Sequence, residues 1–181
     1  MNTPINQAIS TIKLQFPQFK DFPNNPMLPT IIYKRVLVGD VGRESIFRKV
    51  FLTHGWTNSW VDGIQNFHHY HSTGHEVLGI INGTCDVQFG GPIGEMVTVE
   101  AGDVIIIPAG VAHRSFACSE DFRCIGAYPD GQDYDMNYGK EEEKSTAEIN
   151  IQKLALPKCD PVYGDAGPLK SFWRIVEFDG V

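Results

Sequence analysis

Between Asn66 and Tyr128, short apolar runs alternate with turn-forming sequences at Ser72-Thr73-Gly74, Asn82-Gly83, Gly90-Gly91-Pro92, Ala101-Gly102-Asp103 and Ser119-Glu120-Asp121. Strands separated by turns at such intervals indicate an all-β sandwich or barrel. The flanks read differently. Phe16-Pro17-Gln18-Phe19 and Phe22-Pro23-Asn24-Asn25-Pro26 carry too much Pro and Asn for regular structure, so an ordered but irregular N-terminal arm is expected. Within it, Ile31–Val38 suits a strand, and Glu44–Phe51 places Ile46, Phe47, Val50 and Phe51 on one face of a short helix. The three glutamates of Lys140–Lys144 form a solvated loop or helix start, and Phe172–Phe178 alternates like an edge strand. The 181 residues suffice for one core. We therefore expect one domain over 1–181, with a barrel core at about 60–130 and the segments 1–59 and 131–181 packed around it.

A net charge of −7 with no basic stripe repels phosphate backbones, which argues against nucleic acid as a partner. Met1–Gln15 lacks the apolar run of a signal peptide, and no stretch approaches membrane-spanning length, so a cytoplasmic protein without membrane association is expected. Cys85, Cys118, Cys124 and Cys159 show no CxxC pair or framework spacing and read as free thiols.

The chemistry concentrates in Phe67-His68-His69-Tyr70-His71-Ser72-Thr73-Gly74-His75-Glu76. In a strand, alternation puts His69 and His71 on one face and His68 on the other. A turn at Ser72-Thr73-Gly74 then starts a second strand whose Glu76, Leu78 and Ile80 share a face, while His75 points outward. A carboxylate among buried aliphatic side chains is costly unless a cation compensates it, so this placement itself argues for a metal. His113 follows the apolar strand Val104–Ile107 and the Pro108/Gly110 turn, and can return to the same interior. Three imidazoles and a carboxylate without thiolate suit one divalent transition metal with positions left for water or substrate, manganese first, with iron, nickel or zinc as alternatives. Histidines must be neutral to ligate, so acidification below roughly pH 6 is expected to release the ion. Gln65 and Phe67 share the face of His69 and His71 and are candidate pocket-lining groups. Trp56 and Trp60 either close a mouth or cap a core, Arg114 faces away from the site, and Tyr128 is a candidate proton donor.

The spacings Gly63-x5-His69-x-His71-x4-Glu76-x6-Gly83 and Gly102-x5-Pro108-x-Gly110-x2-His113 resemble the two signature motifs of the cupin superfamily, departing only in having Ala117 where the second motif often ends in Asn. Phe22–Pro29, Gly55–Trp60, Gly126-Ala127-Tyr128-Pro129 and Asp160-Pro161 narrow the resemblance to the YjlB-like bacterial cupins. The resemblance implies a conical antiparallel β-barrel of the double-stranded β-helix (jelly-roll) type, an internal metal and a homodimer. It brings no reaction with it. Two functions follow as expectations: a metalloenzyme acting on a small oxygen-rich molecule, of isomerase or oxidoreductase/dioxygenase type, or a non-catalytic metal-dependent small-ligand binder.

Overall fold

The β-branched runs of the chain become strands, and the turn residues between them set the strand ends. The computed structural model describes residues 5–7, 10–39 and 41–174. Among them, the strands are β1 (Ser10–Phe16), β2 (Asn25–Lys34), β3 (Trp56–Asp62), β4 (Glu76–Asn82), β5 (Thr84–Phe89), β6 (Glu95–Glu100), β7 (Val104–Ile107), β8 (His113–Cys118) and β9 (Arg123–Pro129). The helices are α1 (Arg43–Thr53), α2 (Glu141–Lys153) and α3 (Leu169–Phe172). The strands pair antiparallel in a large sheet of order β1-β2-β7-β4-β9-β3 and a small sheet of order β6-β5-β8. Ladder pairing leaves the two sheets separate, face to face, in a jelly-roll arrangement instead of a continuously bonded barrel.

β4 explains how the layers stack. Its residues are buried on both faces as far as Ile81, which is why Val77-Leu78-Gly79-Ile80-Ile81 is unbroken apolar sequence. Leu78 and Ile80 point between the sheets and pack with Ile32, Ile105 and Ile107 against Val87, Phe89 and Val99. Val77 and Ile81 point the other way, onto a second core with Ile31, Ile106, Phe47, Phe51 and Trp173. A Cβ at Gly79 would stand 2.8 Å from the Phe47 ring, so α1 lies directly on the strand there.

Several expectations need correction. The N-terminal segment is not irregular throughout: β1 and β2 belong to the large sheet. Pro26 and Pro29 are tolerated because β1 skips from Phe16↔Asn25 to Leu14↔Thr30, and β7 pairs only with Ile31–Tyr33, so no ladder needs their missing N–H. The expected strand end at Val38 falls short, with β2 stopping at Lys34. Trp56 and Trp60 lie on β3, which is bulged between Thr57 and Trp60. The charged run enters α2, whose Glu143 carboxylate accepts the Tyr138, Gly139 and Lys140 N–H groups. The expected edge strand begins inside α3, and its residues 175–178 lie outside the described residues. Cys85 and Cys118 are not free thiols: they are direct partners across β5 and β8 and form a disulfide, which their separation of 33 residues hides in sequence. Cys124 and Cys159 are free.

Candidate metal centre

Residues 63–75 do not form a regular strand. They pair through single bridges, His69↔His113 onto β8 and Tyr70↔Asn137 onto the segment after β9. That short extended piece is enough to turn both His69 and His71 inward, at 4% and 5% exposure, while His68 lies half-buried against Phe22. Alternation does not survive the bend at residues 72–74. His75, expected at the surface, is only 2% exposed; its Nδ1 accepts the Ala109 N–H and its ring packs 4.8 Å from that of Trp173. Burial holds its pKa down to about 4, so it is a neutral core histidine facing away from the triad.

His69, His71 and His113 each bring one nitrogen to a common point, the three atoms lying within 4.8 Å of one another. The ring centroids of His69 and His113 are 4.2 Å apart. Each Nδ1 meets a backbone carbonyl: His69 that of Phe67 at 3.1 Å, His113 that of Val111 at 3.0 Å, His71 that of Asp135 at 2.5 Å. A carbonyl only accepts, so all three Nδ1 atoms carry a proton and the Nε2 atoms are the ones left to face the site. Neutral imidazoles with the far nitrogen anchored are the arrangement found in metal-ligating histidines.

Glu76 opens β4 beneath the triad. Its carboxylate oxygens stand 3.6 Å from His71 Nε2 and 3.4 Å from His113 Nε2. Burial penalises its charge, but the neighbouring His71 and His113 outweigh burial and hold the carboxyl well below the usual carboxylate range. Burial likewise pulls His71 down, and the Glu76 carboxylate more than compensates, leaving His71 above its ordinary value. His69, buried and next to His113, falls to about 3. The group is thus a pocket of bases with one charge to share, which a divalent cation would satisfy.

A cavity of about 210 Å³ opens over these atoms, walled by Trp60, Leu78, Tyr128, Tyr134 and Met136 with Asp62 and Gln65 towards its rim. Of the two pocket candidates, Gln65 lines it; Phe67 stays outside the wall, 41% exposed, because the chain there is not a strand and its ring turns towards Tyr138. Trp56 caps the outer core and Trp60 faces the cavity. Arg114 points away, binding Gln88. Tyr134, Asp135 and Met136 went unrecognised in sequence. Asp135 follows His71 by 64 residues, and no spacing links the two. Its carboxylate accepts the Ser72 and Thr73 N–H groups, the Ser72 hydroxyl and the Asn137 amide, latching the segment after β9 over the site.

A family model described as a cupin domain matches residues 61–126, which span all four of these side chains. The curated relative "Uncharacterized protein YjlB" of Bacillus subtilis (strain 168) is 40% identical over 158 residues, 87% of this chain and 93% of the relative. The chain is a YjlB-like cupin. Solved structures similar to this cupin include a DUF861 family protein from Thermotoga maritima, 18% identical, covering 49% of this chain and 92% of that one with a TM-score of 0.32. Another is the acireductone dioxygenase from Bacillus anthracis, described with a cadmium ion in its active centre, 19% identical over 50% of this chain and 64% of that one, TM-score 0.35.

Proposed function

We propose that this cupin is a metalloenzyme that holds one divalent transition metal, manganese first, through His69, His71, His113 and Glu76, and acts on a small oxygen-rich molecule by isomerase or oxidoreductase chemistry. The observation that carries the reading is the convergence of three imidazoles whose Nδ1 atoms are all tied to carbonyls. The bound ion would supply Lewis acidity towards a substrate oxygen. The chain's own residues do the rest. Leu78, Met136 and the Trp60 and Tyr134 rings exclude water from the ligands, and Gln65 offers an amide at the rim to orient a substrate oxygen. The small cavity limits the ligand to a compact molecule. The same reading takes residues 1–181 as one folded unit, functioning as a cytoplasmic homodimer.

A second reading, a metal-dependent ligand binder without turnover, has one observation in its favour. Among the described residues, the cavity wall offers no carboxylate besides Glu76 and the exposed Asp62 to act as a base. Elemental analysis of protein purified without added metal, followed by turnover screens with that metal restored, separates the two. Turnover supports the enzyme; tight ligand retention without turnover supports the binder. Metal retention indifferent to His69→Ala and His113→Ala would defeat both.

A further inference from the structure

We infer that Tyr128 and Trp60 form a positioning chain that dedicates one oxygen of Glu76 to the protein and leaves the other for the metal. The inference rests on the metal reading above and adds to it the way in which the carboxylate is aimed. Trp60 and Gly126 are direct partners between β3 and β9, and a Cβ at residue 126 would lie 2.4 Å from the indole ring. Only a glycine lets the indole lie flat across β9 there. Two residues on, hence on the same face, Tyr128 rises towards Glu76, whose neighbour Val77 pairs with Ala127.

Trp60 Nε1 lies 2.7 Å from the Tyr128 hydroxyl, and that hydroxyl lies 2.8 Å from Glu76 Oε1. The proton order along this chain has one solution. An indole N–H can only donate, so the phenol oxygen accepts from Trp60; an ionised carboxylate can only accept, so the phenol O–H donates to Glu76. Tyr128 is fully buried and its ring stacks on Tyr134 at 4.6 Å, which removes the freedom to swing away. Oε1 is thereby engaged from the β9 side while standing 3.6 Å from His71 Nε2, and Oε2, the oxygen that the hydroxyl does not meet, stands 3.4 Å from His113 Nε2. Glu76 would then offer Oε2 to the metal, with Tyr128 acting through the carboxylate.

Titration with Zn²⁺ against a chromophoric chelator, together with the visible spectrum of the Co²⁺ form, tests the chain in the whole protein. Tyr128→Phe removes one hydroxyl and should weaken Zn²⁺ binding by about 10- to 100-fold, with a shift of the Co²⁺ bands as Glu76 becomes free to offer both oxygens. Trp60→Phe leaves the Tyr128–Glu76 bond and should weaken Zn²⁺ about threefold, the size of one neutral hydrogen bond; it also serves if Tyr128→Phe does not fold. In a Glu76→Gln background, Tyr128→Phe should cost almost nothing further, because the hydroxyl acts through the carboxylate. An unchanged affinity and Co²⁺ spectrum in Tyr128→Phe, or the same fold-loss in the Glu76→Gln background, overturns the positioning chain while the metal site stands. Wild-type protein that takes up neither ion overturns both.

Discussion

The stretches of chain that carry the candidate ligands and the segment that follows β9 support the site in different ways. His69 and His113 take their anchoring carbonyl from the residue two positions earlier, Phe67 and Val111, so their aim is built into their own stretch of chain. His71 takes its anchor from Asp135, far along the chain, in a segment that contributes no ligand. Two imidazoles are therefore oriented by their own stretches of chain. The third is oriented only while a distant segment stays latched.

The largest effect tests the locally anchored half. His113→Ala or His69→Ala should weaken metal binding by about a thousandfold or more while leaving the sheets intact, since each removes a ligand but no core aliphatic residue. Circular dichroism alongside chelator competition checks both points, and retention of tight binding would break the comparison at its root. Asp135→Ala comes next. The His71 carbonyl partner survives but its latch to Ser72, Thr73 and Asn137 is lost, so affinity should fall about 10- to 100-fold. Hydrogen exchange should then rise in residues 133–137 and stay unchanged in β4 and β7; faster exchange in the strands as well would mean that the two regions are not separable.

A third, smaller effect concerns pH. Glu76 raises His71 above its ordinary value of about 6.5, despite burial. In the metal-free protein the pair therefore contributes stability that is fully present below that ordinary value and is lost as pH rises through the raised one. Metal must displace the same proton, so affinity should climb by at most about tenfold per pH unit up to the raised value and level off beyond it. His69, at about 3, adds no slope near neutrality. Release on acidification thus begins at higher pH than an ordinary histidine would give. Calorimetric Zn²⁺ titrations in buffers of different protonation enthalpy should show proton release that persists to higher pH than an ordinary histidine would give, and less release in Glu76→Gln; no proton uptake by either buffer would remove His71 from this role. Smallest of all, Phe67→Ala should change metal affinity less than about twofold, because its ring is half exposed outside the cavity wall. A larger loss would show that the carbonyl of residue 67 needs its own side chain to stay aimed at His69.

What could be read in sequence follows the same division. The inward pairing of Glu76, Leu78 and Ile80 depends only on the two-residue period of a strand, and β4 has it. Turn residues likewise marked both ends of β7. The rule failed at His75 and Phe67, where the chain leaves strand geometry and parity no longer carries across. Nothing local could reveal Asp135, Tyr134 or the Cys85–Cys118 pair, since each acquires its meaning from a residue brought near by the whole fold. The Pro-rich N-terminal stretch misled for a related reason: a proline forbids a ladder bond only where a neighbouring strand would ask for one.

The disulfide has a consequence for the metal-binding geometry that its place in the small sheet does not advertise. β8 ends the strand order of the small sheet, its other side met, among the described residues, only by the short piece that carries Gln65 and His69, and it starts with His113. A one-residue slide along β5 would turn every side chain of β8 over and point that imidazole at solvent. Cys118 closes the opposite end of the strand onto Cys85. The bridge fastens the far end of β8 to β5 beyond the bulge at Phe116, and so limits how far the strand that delivers His113 can slide.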